Sequence, residues 1–301
     1  MTKLAAEGLL SIPRSRKAVT RVQAVMLVAL ISVAFVGAYS YYYSASTTSK
    51  EIIIGAPLPF SGAMATIGVS CQRGHDLAVE DINAAGGIRS LGGAKIRIVY
   101  ADIKSDPTVT VSETERLITT YHPVAILGAY GSSLTYAATE VSERHRVPFL
   151  APMAQADDIT DRGFKYVFRQ AIRASNVGAK AIDLIVDMTR RYGTPVRNIA
   201  IVYENTLWGK TSSQAARNHA PEVGFTIVGD EAYSQGSSDL SPVVTKLKAA
   251  KPDVVVLASY LNDAILMART FHELDFNAMG YVAMGGGYLE PDFIKSAGKD
   301  S

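Results

Sequence analysis

From Glu51 onwards the chain alternates between two kinds of segment. Runs rich in aliphatic and β-branched residues at 51–58, 95–102, 124–127, 147–150 and 166–169 read as strands. Between them, residues 72–85, 110–121 and 132–146 carry apolar residues at helical spacing. The rhythm then repeats, with strands at 198–203, 225–229, 253–258 and 280–284. The second set of helices falls at 174–192, from the Gly-Lys-Thr loop to about residue 219, at 240–250 and at 262–274. Strands separated by helices form βαβ units and hence parallel sheet. Right-handed crossovers then place helices on both faces. The alternation breaks near residues 169–175. The predicted fold is therefore α/β, with two doubly wound parallel-sheet lobes joined by a hinge: lobe I at residues 51–170 and lobe II at 171–301. With 301 residues the chain is long enough for each lobe to bury a core.

The first fifty residues are of another kind. Residues 1–21 are basic, residues 22–43 hold the apolar run VQAVMLVALISVAFVGA followed by tyrosines, and residues 44–50 are a polar linker. A positive flank, an apolar span and an aromatic belt describe a signal peptide or membrane anchor, so the protein is expected to be exported to the periplasm or the cell surface. Ser44-Ala45-Ser46 suits cleavage, whereas the tyrosines favour retention as an anchor. No Cys follows the run, which excludes lipid attachment there.

This segment also distorts the charge. It holds six basic residues against Glu7; without it, 24 basic side chains face 27 acidic ones. Such a body offers nucleic acid no basic surface. Cys71 is the single cysteine, so intramolecular disulfides and Cys-based zinc sites are excluded; it reads as a small buried hydrophobe.

In open parallel sheets ligands sit beyond the carboxyl ends of the strands. Those ends here are rich in small, hydroxyl, amide and aromatic groups, which suits a small polar ligand walled by rings. Several motifs compete with that picture. Gly209-Lys210-Thr211 follows a strand and opens a helix, but a phosphate loop needs glycine at 204, where Glu204 stands, and Leu207 and Trp208 are too bulky. No nucleotide is expected; Trp208 should project from a strand end into a cleft, with Gly209 letting the helix start. His272-Glu273 begins like a metalloprotease helix, but Phe276 takes the second His position. The other histidines, His75, His122, His145 and His219, are dispersed, and neither a metal nor another cofactor is expected. Asp157, Asp158 and Asp161 lack calcium-loop spacing and read as a solvated helix start. Ser132 and Ser133 lack the flanking glycines of a nucleophile turn. They read as helix caps that also face an anion, since orphan amides and the helix dipole favour a carboxylate there.

Taken together, IIIGAPLPFSGAMATIG from Ile52, GHDLAVEDINAAGGI from Gly74, AILGAYGSS from Ala125, RVPFLAPMAQADDIT from Arg146, IAIVYENTLWGKT from Ile199 and YSQGSSDLSPVVTKLKAAKPDVVVLASY from Tyr233 carry a resemblance. The chain resembles the leucine/isoleucine/valine-type periplasmic binding proteins, the type I solute-binding receptors of branched-chain amino acid ABC transporters. It does so over essentially everything from residue 51 to 300. The resemblance implies two lobes that close on a small ligand. It implies that Ser132, with Ser133 beside it, holds a ligand carboxylate, and that Met153 and Ala154 line the pocket by their backbone. Gln155 stands where Thr or Ser is usual. Trp208 stands where a covering aromatic, commonly Tyr, is found, and Tyr260 matches a second aromatic from the other lobe. Gly287 falls near the acid that accepts a ligand ammonium, which glycine cannot do. Asp263, Glu290 or Glu204 must then serve, or the ligand is an amide or urea rather than an amino acid. The family's chains run further, so lobe II is expected to be incomplete at its C-terminal end.

The implied function is a non-enzymatic, extracytoplasmic receptor. It would capture a small amino acid, branched-chain or hydrophobic, or a related amide, and deliver it to ABC permease subunits, with the membrane engaged through the N-terminal helix. The alternative is the ligand-sensing domain of a membrane signalling receptor. A Ser132 hydrolase is a third possibility, for which no base is placed by the sequence.

Overall fold

The computed structural model describes residues 20–45 and 51–298, which fall into two separate units. The basic region before residue 20, linker residues 46–50 and residues 299–301 lie outside the described residues. The first unit is one helix, α1 (Arg21–Ala45), apolar on every side and exposed along residues 21–40. Its 25 residues span about 37 Å at 1.5 Å per residue, more than the ~30 Å hydrocarbon core of a bilayer. Signal sequences and membrane anchors both meet that test of length and composition.

The second unit begins with β1 (Glu51–Leu58), α2 (Ala65–Ala84), β2 (Lys95–Asp102), α3 (Pro107–Tyr121), β3 (Ala125–Leu127), α4 (Ser132–His145), β4 (Phe149–Ala151), the short α5 (Asp158–Asp161) and β5 (Val167–Arg169). These strands form one parallel sheet in the order β2-β1-β3-β4-β5. The chain then crosses to α6 (Ala174–Tyr192), β6 (Asn198–Glu204), α7 (Leu207–Glu222), β7 (Thr226–Tyr233), α8 (Ser241–Ala250), β8 (Val254–Ala258), α9 (Leu261–Glu273), β9 (Gly280–Ala283) and α10 (Pro291–Ala297). The second sheet, also parallel, runs β7-β6-β8-β9. The doubly wound architecture expected from the alternation is thus present, with a β2–β1 register that runs unbroken from Lys95↔Glu51 to Asp102↔Leu58.

Helix starts differ most from expectation. α2 begins at Ala65, seven residues ahead of the predicted 72, because Met64 offers no side-chain cap that a reader could see. α3 begins at Pro107, where Asp106 Oδ1 accepts the Val109 amide at 2.9 Å and the fixed proline φ suits a first turn. Cys71 consequently lies in mid-α2 and is half-buried rather than fully buried; its Sγ is 3.5 Å from Met153 Sδ.

The Asp157–Asp161 stretch does start a helix, α5, with Asp158 and Asp161 exposed, but Asp157 is not solvated. Asp157 is buried, and its Oδ2 accepts from Arg173 Nη2 at 2.9 Å and Nε at 3.1 Å, while Oδ1 accepts the Ser175 amide. Asp161 shares the same guanidinium, which holds its carboxyl below the ordinary range. These acids fasten the crossover into α6. One apolar cluster spans both lobes, bringing Met64, Ile103, Tyr130 and Leu134 together with Trp208, Tyr260 and Met284.

Candidate functional site

Because all strands of a sheet run the same way, their carboxyl ends share one edge, and the two edges face each other across a cleft. A cavity of about 230 Å³ lies between them, lined by Tyr130, Gly131, Ser132, Met153, Ala154 and Gln155 from lobe I and by Trp208, Tyr260, Gly286, Leu289 and Glu290 from lobe II. A larger cavity of 410 Å³ sits outside β9 among Phe271, Phe276 and Tyr281. It is walled by one lobe alone, whereas polar groups from two elements of lobe I and a carboxylate of lobe II converge on the cleft.

On the lobe I side, β3 ends in a glycine turn that enters α4. Gly131, at φ 85°, is the N-cap residue, and a Cβ there would meet Met64 Sδ at 2.8 Å. The serines do not cap their own helix, contrary to expectation: they occupy its first turn, and the N-cap residue, Gly131, has no side chain to cap it. Their hydroxyls bond elsewhere instead. Ser132 Oγ accepts the Ala156 amide at 3.1 Å and lines the cavity. Ser133 Oγ accepts the Leu207 amide at 3.2 Å, so it ties lobe I to α7 and is not among the cavity lining. After β4, Met153 is exposed, Ala154 is buried and Gln155 is half-buried, and all three line the cavity.

On the lobe II side, Trp208 sits in the first turn of α7, after the strand rather than on its end, and is 4% exposed. Its indole Nε1 donates to Gln155 Oε1 at 2.9 Å, and its ring lies 5.1 Å from that of Tyr260, which in turn meets Tyr130 edge-on at 5.9 Å. Gly209 is in the third position of α7 because a Cβ there would fall 2.0 Å from the Glu204 carbonyl oxygen.

The Gly-Lys-Thr loop is answered by Glu204. Its carboxylate accepts the Thr206 amide at 2.6 Å and the Gly209 amide at 2.7 Å, filling the helix N-terminus that a phosphate would need. Thr211 Oγ1 donates to the Leu207 carbonyl at 2.8 Å, a bond within the helix. Glu204 is fully buried, and that burial raises its carboxyl above the ordinary range although the Thr206 and Gly209 amides pull it down.

Of the three glycines 285–287, the last two serve close approach. A Cβ on Gly286 would lie 2.5 Å from Trp208 Cη2 and from the Ser259 carbonyl oxygen, so the indole rests on this glycine. Gly287 is not part of the cavity wall: a Cβ on it would lie 2.3 Å from the Leu261 backbone, where it packs on the start of α9. Of the three acids weighed as ammonium acceptors, only Glu290 lines the cavity. Burial, and then Asp292, raise its carboxyl above the usual range. Asp263 is buried in the first turn of α9, where its Oδ1 accepts the Gly236 amide at 3.0 Å; burial pushes it up to about 6. Among the described residues no cluster of three His, Cys, Asp or Glu side chains could hold a metal ion.

Tyr130, Gly131, Gly286 and Leu289 complete the wall beyond the expected set. Tyr130 and Gly131 could have been found, since they belong to the turn that carries the serines. Leu289 leaves no signal, being an exposed aliphatic residue at the end of a 3₁₀ turn.

Residues 51–301 match the family model described as "Periplasmic binding protein". Among curated relatives, "Leu/Ile/Val-binding protein homolog 8" of Brucella suis is 31% identical over 276 residues, covering 91% of this chain and 65% of its own length. The chain thus spans just under two thirds of that relative. Among solved structures, the branched-chain amino acid transporter substrate binding protein LivJ of Streptococcus pneumoniae, in complex with isoleucine, superposes with a TM-score of 0.73 at 27% identity, covering 83% of this chain and 68% of that one. A solute binding protein of R. palustris in complex with benzoate shares the fold at TM-score 0.73 and 20% identity, covering 83% and 66%.

Proposed function

The chain belongs to the periplasmic binding protein family, and from that premise we propose that it is the solute-capturing receptor of an ABC importer. The ligand is a hydrophobic α-amino acid, held between the lobes and handed to membrane permease subunits. One observation carries this: the cavity presents a hydroxyl and a helix N-terminus from lobe I opposite a carboxylate from lobe II. The α4 amides and the Ser132 hydroxyl suit a ligand carboxylate. Glu290 suits its ammonium, which would otherwise be costly to bury. Tyr130, Trp208 and Tyr260 supply the apolar wall. The isoleucine held by the LivJ relative points to the same ligand class. On this reading α1 carries the receptor across or onto the membrane.

The test is calorimetric titration of the full chain in detergent with L-isoleucine, L-leucine, acetamide, urea, benzoate and Mg-ATP. Binding of an aliphatic L-amino acid alone is the expected result. Binding of benzoate or acetamide in preference would overturn the ammonium assignment, and binding of Mg-ATP would overturn the proposal entirely.

A further inference from the structure

Gln155 occupies an unusual junction. Its side-chain oxygen accepts the Trp208 indole N–H across the cleft at 2.9 Å. Its main-chain oxygen accepts the Ala174 amide at 2.8 Å and Arg169 Nη1 at 2.9 Å, at the crossover between lobes. One residue therefore joins the cavity wall, the crossover and the aromatic wall of the opposite lobe. The indole it holds is fixed from two further sides, by Gly286 beneath and the Tyr260 ring beside it.

We infer that Gln155 is a positioning residue whose amide latches Trp208 across the cleft, orienting the indole over the ligand and biasing the lobes towards closure. This rests on the reading of the cleft as a binding site. Buried indole N–H groups need an acceptor, and an unpaired one is costly. A Thr at 155 would be two atoms shorter and would leave this donor without the acceptor seen here. Gln155 and Trp208, both positions where the chain departs from the side chains usual in the family it resembles, are thus each other's partner. Other bonds also bridge the lobes, Leu207 to Ser133 at 3.2 Å and Asn262 to the Ala63 carbonyl at 3.3 Å, but neither touches the indole. The latch should therefore be separable from closure in general by watching the ring.

Trp208 is the chain's single tryptophan, so the emission reports on this indole alone. The experiment compares wild type, Gln155→Met, Gln155→Thr and Gln155→Glu as full chains in detergent, first without added solute and then with L-isoleucine. Emission maximum, acrylamide quenching and affinity are measured, with circular dichroism to confirm folding. Met keeps the volume and loses the acceptor, and Thr removes it by shortening. Glu restores an acceptor. The expected result is a red shift and at least a doubling of quenching in the Met and Thr variants, wild-type quenching in the Glu variant, and isoleucine affinity about three- to tenfold weaker for Met. Unchanged emission and quenching in folded Met and Thr variants would overturn the latch. If isoleucine fails to bind wild type, the ligand assignment fails, while the quenching comparison without solute still decides the latch.

Discussion

The N-termini of α4 and α7 both face the cleft, and they have opposite fates. α4 and α7 each follow a parallel strand, α4 opening with two serines and α7 with Leu207 and Trp208 ahead of Gly209. α7 carries the more suggestive text, Gly-Lys-Thr, yet its amides are already taken by the Glu204 carboxylate. α4 carries no recognised phosphate motif, yet its N-cap residue, Gly131, has no side chain to fill it and Ser132 lines the cavity beside it. What makes a helix start into an anion site is therefore what fills it, and that is settled by a residue outside the helix. In α7 the filler is the last residue of β6, five positions ahead of the glycine.

The contrast can be broken most forcefully at Glu204. Glu204→Ala empties a fully buried site and strands two amides, so unfolding stability should fall by about 3 kcal/mol in urea titrations. If that variant were also stabilised by inorganic phosphate, α7 would differ from a phosphate loop only in its filling. No such gain is expected, because Leu207 and Trp208 still crowd the turn.

Across the cleft, Glu290→Gln should weaken isoleucine binding by about 2 kcal/mol at neutral pH without a comparable loss of stability. The sign with pH follows from the raised carboxyl. The carboxylate that an ammonium needs is lost on acidification at a higher pH than for a solvated glutamate. Affinity should therefore fall as pH drops through that raised range, and the Gln variant should be flat by calorimetry over the same interval. A wild-type profile as flat as the variant's would move the ammonium elsewhere. Ser132→Ala should have the smallest effect, about 1 kcal/mol in affinity, together with a slight loss of stability because the Ala156 amide loses its acceptor. An equal loss of affinity from Ser133→Ala would be unexpected, since Ser133 acts between lobes.

The same comparison shows what the sequence could reveal. Strand–helix alternation, the two lobes and the serine turn were legible because each is a local pattern, spread over a few residues of fixed period. So was the mismatch at Glu204, although its role as an internal anion was not. The rest depended on distance in the fold. Ser133 finds its partner 74 residues away and Gln155 its partner 53 away, and no periodicity encodes either. The acid at Glu290 lies three residues past the expected position at Gly287. A 3₁₀ turn over residues 286–289 carries the chain back to the cleft, and turn geometry of that kind is not written in composition. The start of α2 was missed for a simpler reason, the lack of a capping side chain at Met64.

The crossover between sheets also bears on how the protein is made. All five strands of the first sheet come from residues 51–169, before any residue of the second. A chain emerging N-terminus first can finish pairing β1 to β5 while residues beyond 174 are still unavailable. The contacts that bridge the cleft, Ser133 with Leu207 and Gln155 with Trp208, must then be the last to form. Pulse-labelled hydrogen exchange during refolding should find β1 to β5 amides protected while Trp208 still emits as a solvated indole. Simultaneous protection of both sheets would show instead that the apolar cluster shared by the lobes makes them fold as one.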